Sequence, residues 1–394
     1  MKPKIIYLCY MPLLHNMEDD FFINHLIQEG FSIEYWDLSN IFFPHINFSW
    51  EVERDYVTKI HNYAEIDDMI LSQDINSCFF IVNITFSGLV IKLYRILTRY
   101  NCTLIYFDRT GLPPFSRNGS FLLMVFKNHR HYLRIEKIKK KFIDEIAIIY
   151  KKIGLIKNYD IVFAAGSVEE LKYNSLSEVI SINYFDYDSY LTVKYNTSRI
   201  IKNEYCVFLD DNIIYNTDFK MSNIKTVTET LYYKSLRAFF DRLENKYNLI
   251  VVIAAHPKAD YKGNEFGNRE IIKGKTNELV KDCNFAITHY STSISFAILY
   301  KKPIIFIYTN ELEDLIYCQT IKHYAHILGA SIFNIDKIQS EDDLMQAKII
   351  NVNYSKYEDY KYKYLTSKLT ENKLSSNIFL DYMNKFNLIC DKSR

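Results

Sequence analysis

Between Leu249 and Phe306 three apolar, β-branched runs follow one another, each stopped by a polar or proline-marked turn. No other stretch limits the possible folds so strongly. Strands of a parallel sheet are covered on both faces, so they read as continuous apolar runs rather than as alternation. Ile250–Ala255 (IVVIAA), Phe285–Thr288 (FAIT) and Ile304–Tyr308 have that character. Ser291 reads as the N-cap of a helix over Thr292–Tyr300, which Lys302-Pro303 closes. His256 then stands at the carboxyl end of the first strand, and His289-Tyr290-Ser291-Thr292-Ser293 at the end of the second. Open α/β sheets bind ligands outside the carboxyl ends of their strands, and helix starts offer N–H groups to anions. A histidine and a hydroxyl-rich helix start are therefore aimed at one place, as a phosphate-bearing ligand requires.

The first half repeats the alternation. Lys4–Cys9, Ser32–Trp36, Cys78–Ile84, Thr103–Phe107 and Tyr159–Phe163 read as strands, with helical spacing at Asp19–Gln28, Tyr56–Ser72 and Ser87–Tyr100. Strands separated by helices predict parallel sheets with right-handed crossovers. The first strand is not followed by GxGxxG, so the dinucleotide fingerprint is missing. A length of 394 residues exceeds one ordinary core. The expected class is α/β, with two Rossmann-like parallel-sheet domains facing across a cleft. They cover 1–195 and 204–345, joined by the polar stretch Lys194–Asn203, and a helical tail, 346–394, packs back on the body. Thr228–Lys246 is the clearest helix, with Leu231, Leu236, Phe239, Phe240 and Leu243 on one stripe.

Lys+Arg 48 against Asp+Glu 47 leaves a net charge of +1, which gives no electrostatic case for nucleic acid. The seven cysteines form no CxxC pair, Met1-Lys2-Pro3-Lys4 runs straight into a strand, and no apolar run reaches the ~18 residues that span a bilayer. These features predict a reduced, cytoplasmic protein. One local exception is His129–Lys141 (HRHYLRIEKIKKK). It reads either as a solvated helix face or as a contact with an acidic glycan or an anionic membrane surface, which would place the protein peripherally on the inner membrane.

Four groups of residues carry chemistry. His256, stiffened by Pro257, suits donation to a phosphate near neutral pH, unless it is simply a structural strand-end histidine. Ser291, Thr292 and Ser293 offer hydroxyls to the same phosphate, although a cap needs only one, and His289 flanks them. Asp210-Asp211-Asn212 follows the strand Tyr205–Leu209 and reads as a base, a hydroxyl-binding pair or a turn. Asp218, further on, and Asp108, at the end of an amino-half strand, are the remaining substrate-side candidates. Asp186-Tyr187-Asp188 formally matches a DxD metal motif, but its aromatic surroundings read as a turn, and no His/Cys spacing suggests zinc. No metal and no cofactor are expected.

His256-Pro257 followed by Ser291-Thr292-Ser293 resembles the HP and Ser/Thr motifs of bacterial sialyltransferases and related enzymes that use CMP-activated ulosonic acids, Kdo among them. Asp210-Asp211-Asn212 is similar to their acidic motif, with Asn212 in place of its glycine and at the start of the second domain rather than in the first. The resemblance implies a GT-B fold. It implies that His256 assists departure of CMP, that Ser291, Thr292 and Ser293 hold its phosphate, and that Asp210 or Asp211 is the base or organises the donor pocket. Pro257, Asn212, Asp218 and Asp108 would contact substrate. The expected activity is transfer of a nonulosonic acid (sialic, pseudaminic or legionaminic) from a CMP donor to a glycan or lipid-linked glycan acceptor, as in capsule or lipopolysaccharide biosynthesis. The alternatives are a transferase or epimerase using a UDP- or GDP-sugar, and a non-catalytic glycan-assembly protein.

Overall fold

The computed structural model describes residues 2–46, 48, 52–84, 86–109, 113, 131–167, 177–215, 227–313, 315–338, 340 and 351–392. The chain forms two compact units: Met1–Arg109 with Ser116–Ile182 and Lys373–Arg394, and Thr110–Phe115 with Asn183–Asn372. The stretch 183–195, expected in the first domain, thus belongs to the second. Its helix Phe185–Val193 is bonded there: Tyr187 Oη donates to the Glu371 carbonyl at 3.1 Å, and Asn277 Nδ2 to Ser189 Oγ at 2.7 Å.

The first unit is built on a seven-stranded parallel sheet. Its strands are β1 (Lys4–Cys9), β2 (Ser32–Asp37), β3 (Val57–Lys59), β4 (Cys78–Asn83), β5 (Thr103–Asp108), β6 (Ile161–Ala165) and β7 (Glu178–Ile182), ordered β3-β2-β1-β4-β5-β6-β7. Alternate residues of β1 enter opposite cores. Ile6 and Leu8 join Trp36 and Phe80, while Ile5 and Tyr7 join Phe22, Phe107 and Phe163. The helix Ser375–Lys392 completes the second of these cores with the buried side chains Phe379 and Met383. The ring of Phe379 lies 5.9, 5.4 and 5.0 Å from those of Phe22, Phe107 and Phe163.

The second unit carries a six-stranded parallel sheet: β8 (Tyr205–Leu209), β9 (Ile250–Ala255), β10 (Ile271–Lys273), β11 (Ala286–Thr288), β12 (Ile304–Tyr308) and β13 (Ser331–Asn334), ordered β10-β9-β8-β11-β12-β13. From β8 the chain builds outward through β9 to β10, then returns to lay β11 on the other side of β8. The order therefore reverses between β8 and β11, the kind of position at which open α/β sheets bind ligands.

Several elements depart from the sequence expectation. Strand β3 lies inside the segment expected to be the helix Tyr56–Ser72; the helix is only Tyr63–Leu71. Asn62 sets its start, its side chain accepting from the N–H groups of Ala64 and Glu65 at 2.9 and 3.1 Å. The strands β7, β10 and β13 likewise lie outside the strands read from sequence. In the helix Glu229–Tyr247 the expected stripe holds at Leu236, Phe239, Phe240 and Leu243, but Leu231 is exposed and Tyr232 and Tyr233 are buried instead.

Candidate functional site

Most of the candidate residues meet at the carboxyl edge of β8, β9 and β11. Asp210 is buried directly beyond β8 and accepts three hydrogen bonds. Its Oδ1 takes the Asn212 N–H at 2.9 Å, and its Oδ2 takes the His256 N–H at 3.1 Å and the Tyr261 hydroxyl at 2.6 Å. One carboxylate thus ties the end of β8 to the turn beyond β9.

Asp211 faces the opposite neighbour. Its Oδ2 accepts the Tyr290 N–H at 2.7 Å and the Tyr317 hydroxyl at 3.1 Å, and the Ser291 side chain also bonds it. Loss of hydration raises its pKa to about 7, helped by the charge of Asp210 and opposed by these donors. The adjacent acids therefore brace β8 to β9 and to β11, across the point where the strand order reverses.

Asn212 stands where the resembled motif has glycine, and the backbone explains the tolerance. Its φ is 49°, in the left-handed region that glycine enters freely and asparagine more readily than other side chains.

His256 opens a tight turn in which the Ala259 N–H returns to the His256 carbonyl at 2.9 Å, with Pro257 at the second position. The Lys258 N–H donates to Nδ1 at 3.1 Å. That nitrogen is an acceptor, so the neutral ring carries its proton on Nε2. Partial burial lowers the His256 pKa, with Asp210 opposing and Lys258 and Lys273 assisting. At neutral pH the ring is an uncharged Nε2–H donor.

His289 is placed differently from its expected role. It is fully buried, its Nδ1 lies 2.7 Å from the Ile307 carbonyl, and its Nε2 lies 2.9 Å from the Tyr232 hydroxyl. The carbonyl requires Nδ1–H, so Nε2 accepts from Tyr232. Burial pushes the pKa down to about 4. Both nitrogens are thus used inside the protein, and His289 holds β11, β12 and the helix Glu229–Tyr247 together.

The hydroxyl cluster forms a compact turn ahead of a helix that begins at Ile294 rather than Thr292. Thr288 Oγ1 accepts the Ser291 N–H at 3.1 Å, and Ser291 Oγ accepts that of Ser293 at 3.4 Å. The carbonyls of Ser291, Thr292 and Ser293 each accept the N–H three residues on, at 3.3, 3.3 and 3.1 Å. Thr292 is exposed, and its two serine neighbours are half-buried.

The remaining candidates lie elsewhere. Asp108 ends β5 of the first unit and is buried. Asp218 and residues 129–130 fall outside the described residues. Asp186 and Asp188 sit on the helix Phe185–Val193, not in a turn; Ser295 Oγ donates to Asp186, and Asn183 Nδ2 to Asp188 Oδ1 at 3.2 Å. Two residues apart on a helix, they face different directions. The site residues that sequence reading missed are Tyr261, Tyr317, Tyr232 and Thr288. The three tyrosines support a candidate from a distant element, and no local pattern marks them; Thr288 acts locally, on Ser291 three positions on.

No protein-family model matches the chain, and no curated protein matches it. Solved structures do. The glycosyltransferase SnogD from Streptomyces nogalater is 8% identical, covers 99% of this chain and 100% of its own, and superposes with a TM-score of 0.51. The calicheamicin glycosyltransferase CalG4 is 9% identical, covers 98% of each chain, and has a TM-score of 0.50. These likenesses show the fold: two parallel-sheet α/β units of the kind found in GT-B glycosyltransferases.

Proposed function

We propose that this protein is a glycosyltransferase that takes a nucleotide-sugar donor on its second unit. The observation that carries the reading is the pair of adjacent acids, Asp210 and Asp211, bonded to the His256 turn and to the Tyr290-Ser291 turn at the point where the sheet order reverses. GT-B-type neighbours favour the reading at the level of fold.

In the proposed reaction an acceptor hydroxyl oxygen bonds to the anomeric carbon as the bond from that carbon to the donor phosphate breaks. The nucleotide departs with the bonding electron pair. The Nε2–H of His256 donates to the phosphate oxygen that gains charge. Thr292 and Ser293 add hydroxyl donors, the Ser291 hydroxyl being turned to Asp211. Asp211, with its pKa near 7, is the better suited of the two acids to receive the acceptor proton. Asp210, with three donors on its carboxylate, positions His256. The motif resemblance favours a CMP-activated nonulosonic acid as donor, whereas the structural likenesses support a glycosyltransferase at the level of fold and single out no nucleotide, so that UDP- and GDP-sugars stand beside CMP-sugars. We take the wider class as the conclusion.

The test is thermal unfolding of the wild type and of His256→Ala with CMP, CDP, UDP and GDP, because a ligand of the native state raises its stability. A nucleotide-selective rise, smaller in His256→Ala, supports the reading and names the donor: CMP for the nonulosonate class, UDP or GDP for the diphosphate sugars. No rise with any of them, and no donor turnover with acceptor present, would move the chain to the glycan-assembly alternative.

A further inference from the structure

We infer that the outer face of the helix His131–Lys152 seats this protein on an anionic lipid bilayer. The inference concerns the first unit alone and does not rest on the transferase reading. Between Phe142 and Lys152 the inner face of the helix packs on the unit. Ala147 is buried, Asp144 Oδ1 accepts the Gly88 N–H at 2.7 Å, and any Cβ at position 88 would overlap Ile143.

From Phe142 on, the outer face is open and mainly apolar, with Glu145 exposed one turn from both Phe142 and Ile149. Phe142 and Ile149, two turns apart, are 66% and 52% exposed, and Ile153, one turn further, is 62% exposed. Leu89, on the turn that packs against the helix, is 66% exposed, and Leu155, past the helix end, is 47% exposed. Scattered apolar residues on a surface need no explanation, but three large ones aligned along one side of a helix do.

Charge identifies the occupant. The helix holds seven basic residues, with Lys139-Lys140-Lys141 directly before Phe142, against the three acids Glu136, Asp144 and Glu145, while the whole chain nets only +1. One acid, Asp144, is already bonded to Gly88, and one base, Lys151, is turned in over the rings of Phe86 and Tyr159, which leaves six basic residues against two acids. A helix with an apolar ridge and a surplus of lysine and arginine matches a bilayer whose headgroups are negative and whose boundary accepts Phe, Ile and Leu. A protein partner or a second copy would demand no such surplus of one sign. Among the described residues no helix is long and apolar enough to cross a membrane, so the contact is with the surface.

The experiment is co-sedimentation of the full chain with vesicles of phosphatidylcholine alone and of an equal mixture with phosphatidylglycerol, alongside sizing in solution. Binding to the anionic vesicles, weakened by salt and reduced about tenfold or more in Phe142→Glu/Ile149→Glu, is the expected result. Replacing Lys139, Lys140 and Lys141 with Gln should reduce the salt-dependent part while thermal unfolding stays unchanged, which separates lost docking from lost folding. No sedimentation with either vesicle overturns the inference. So does a wild type that self-associates while Phe142→Glu/Ile149→Glu is monomeric, because the ridge would then be an interface between copies.

Discussion

Asp210 Oδ2 receives the backbone N–H of His256 at 3.1 Å while the side chain of the same histidine turns its Nδ1 to Lys258. The carboxylate therefore fixes where the turn lies, and the turn fixes the tautomer. Asp210→Asn keeps the shape but offers a single acceptor oxygen in place of two. We expect a loss of about 2 kcal/mol in urea unfolding, with Tyr261→Phe losing about half of that. If both variants unfold like the wild type, the bracing role is wrong.

His256 should show Nδ1 unprotonated and Nε2–H in nitrogen NMR at neutral pH, with a titration midpoint below that of a free histidine. In donor turnover, His256→Ala should lower kcat by about 100-fold or more, the usual cost of one hydrogen-bond donor at a departing group. A protonated Nδ1 in the neutral ring would refute the assignment.

The buried His289 predicts an acid-sensitive fold. Its folded pKa, about 4, lies below the unfolded value, so between them the unfolded chain binds a proton that the native state refuses. Stability should fall as the pH drops from about 6.5 toward 4, by up to about 3 kcal/mol. Unfolding midpoints across that range, compared with His289→Gln, measure the slope; equal slopes would count against the histidine.

For Asp211 the sign is reversed. Its folded pKa, about 7, is raised, so the stability it contributes is complete below the ordinary carboxyl range and is lost as the pH rises through 7. Relative to Asp211→Asn, the wild type should weaken from about pH 4 to 7. If this acid is the base, turnover should rise with a midpoint near 7, and Asp211→Asn should abolish that limb. A flat profile over this range would remove it from the role.

Asn212→Gly should unfold within about 0.5 kcal/mol of wild type, whereas Asn212→Val should lose about 1–2 kcal/mol, because only the β-branched side chain resists φ of 49°. Urea titrations of the two variants decide between a conformational and a purely side-chain role.

What the sequence revealed follows from what is local. Ile250–Ala255 and Ile304–Tyr308 were legible to the residue, since a strand covered on both faces needs apolar side chains at every position. The four edge strands β3, β7, β10 and β13 were not: at three to five residues each, with at most one of them buried, they carry no apolar run that stands out from a loop. The acids and His256 were legible as strand-end residues. Their supports were not, because Tyr261 meets Asp210 across 51 positions and Tyr317 meets Asp211 across 106. The packing role of His289 was hidden for the same reason, since only the fold shows that Ile307 and Tyr232 already occupy its ring.

The helix Ser375–Lys392 gives the chain an order of events. Phe379 and Met383 fill the core beneath β5 and β6, yet they leave the ribosome after every residue of the second sheet. The unit whose first strand begins at Lys4 is thus the last to be completed during synthesis. Until the closing helix arrives, Phe22, Phe107 and Phe163 have no Phe379 to cover them. A nascent chain stalled before residue 375 would display an aromatic surface that chaperones recognise, and trimming this helix would harm the amino-terminal sheet, not the sheet that immediately precedes it in sequence.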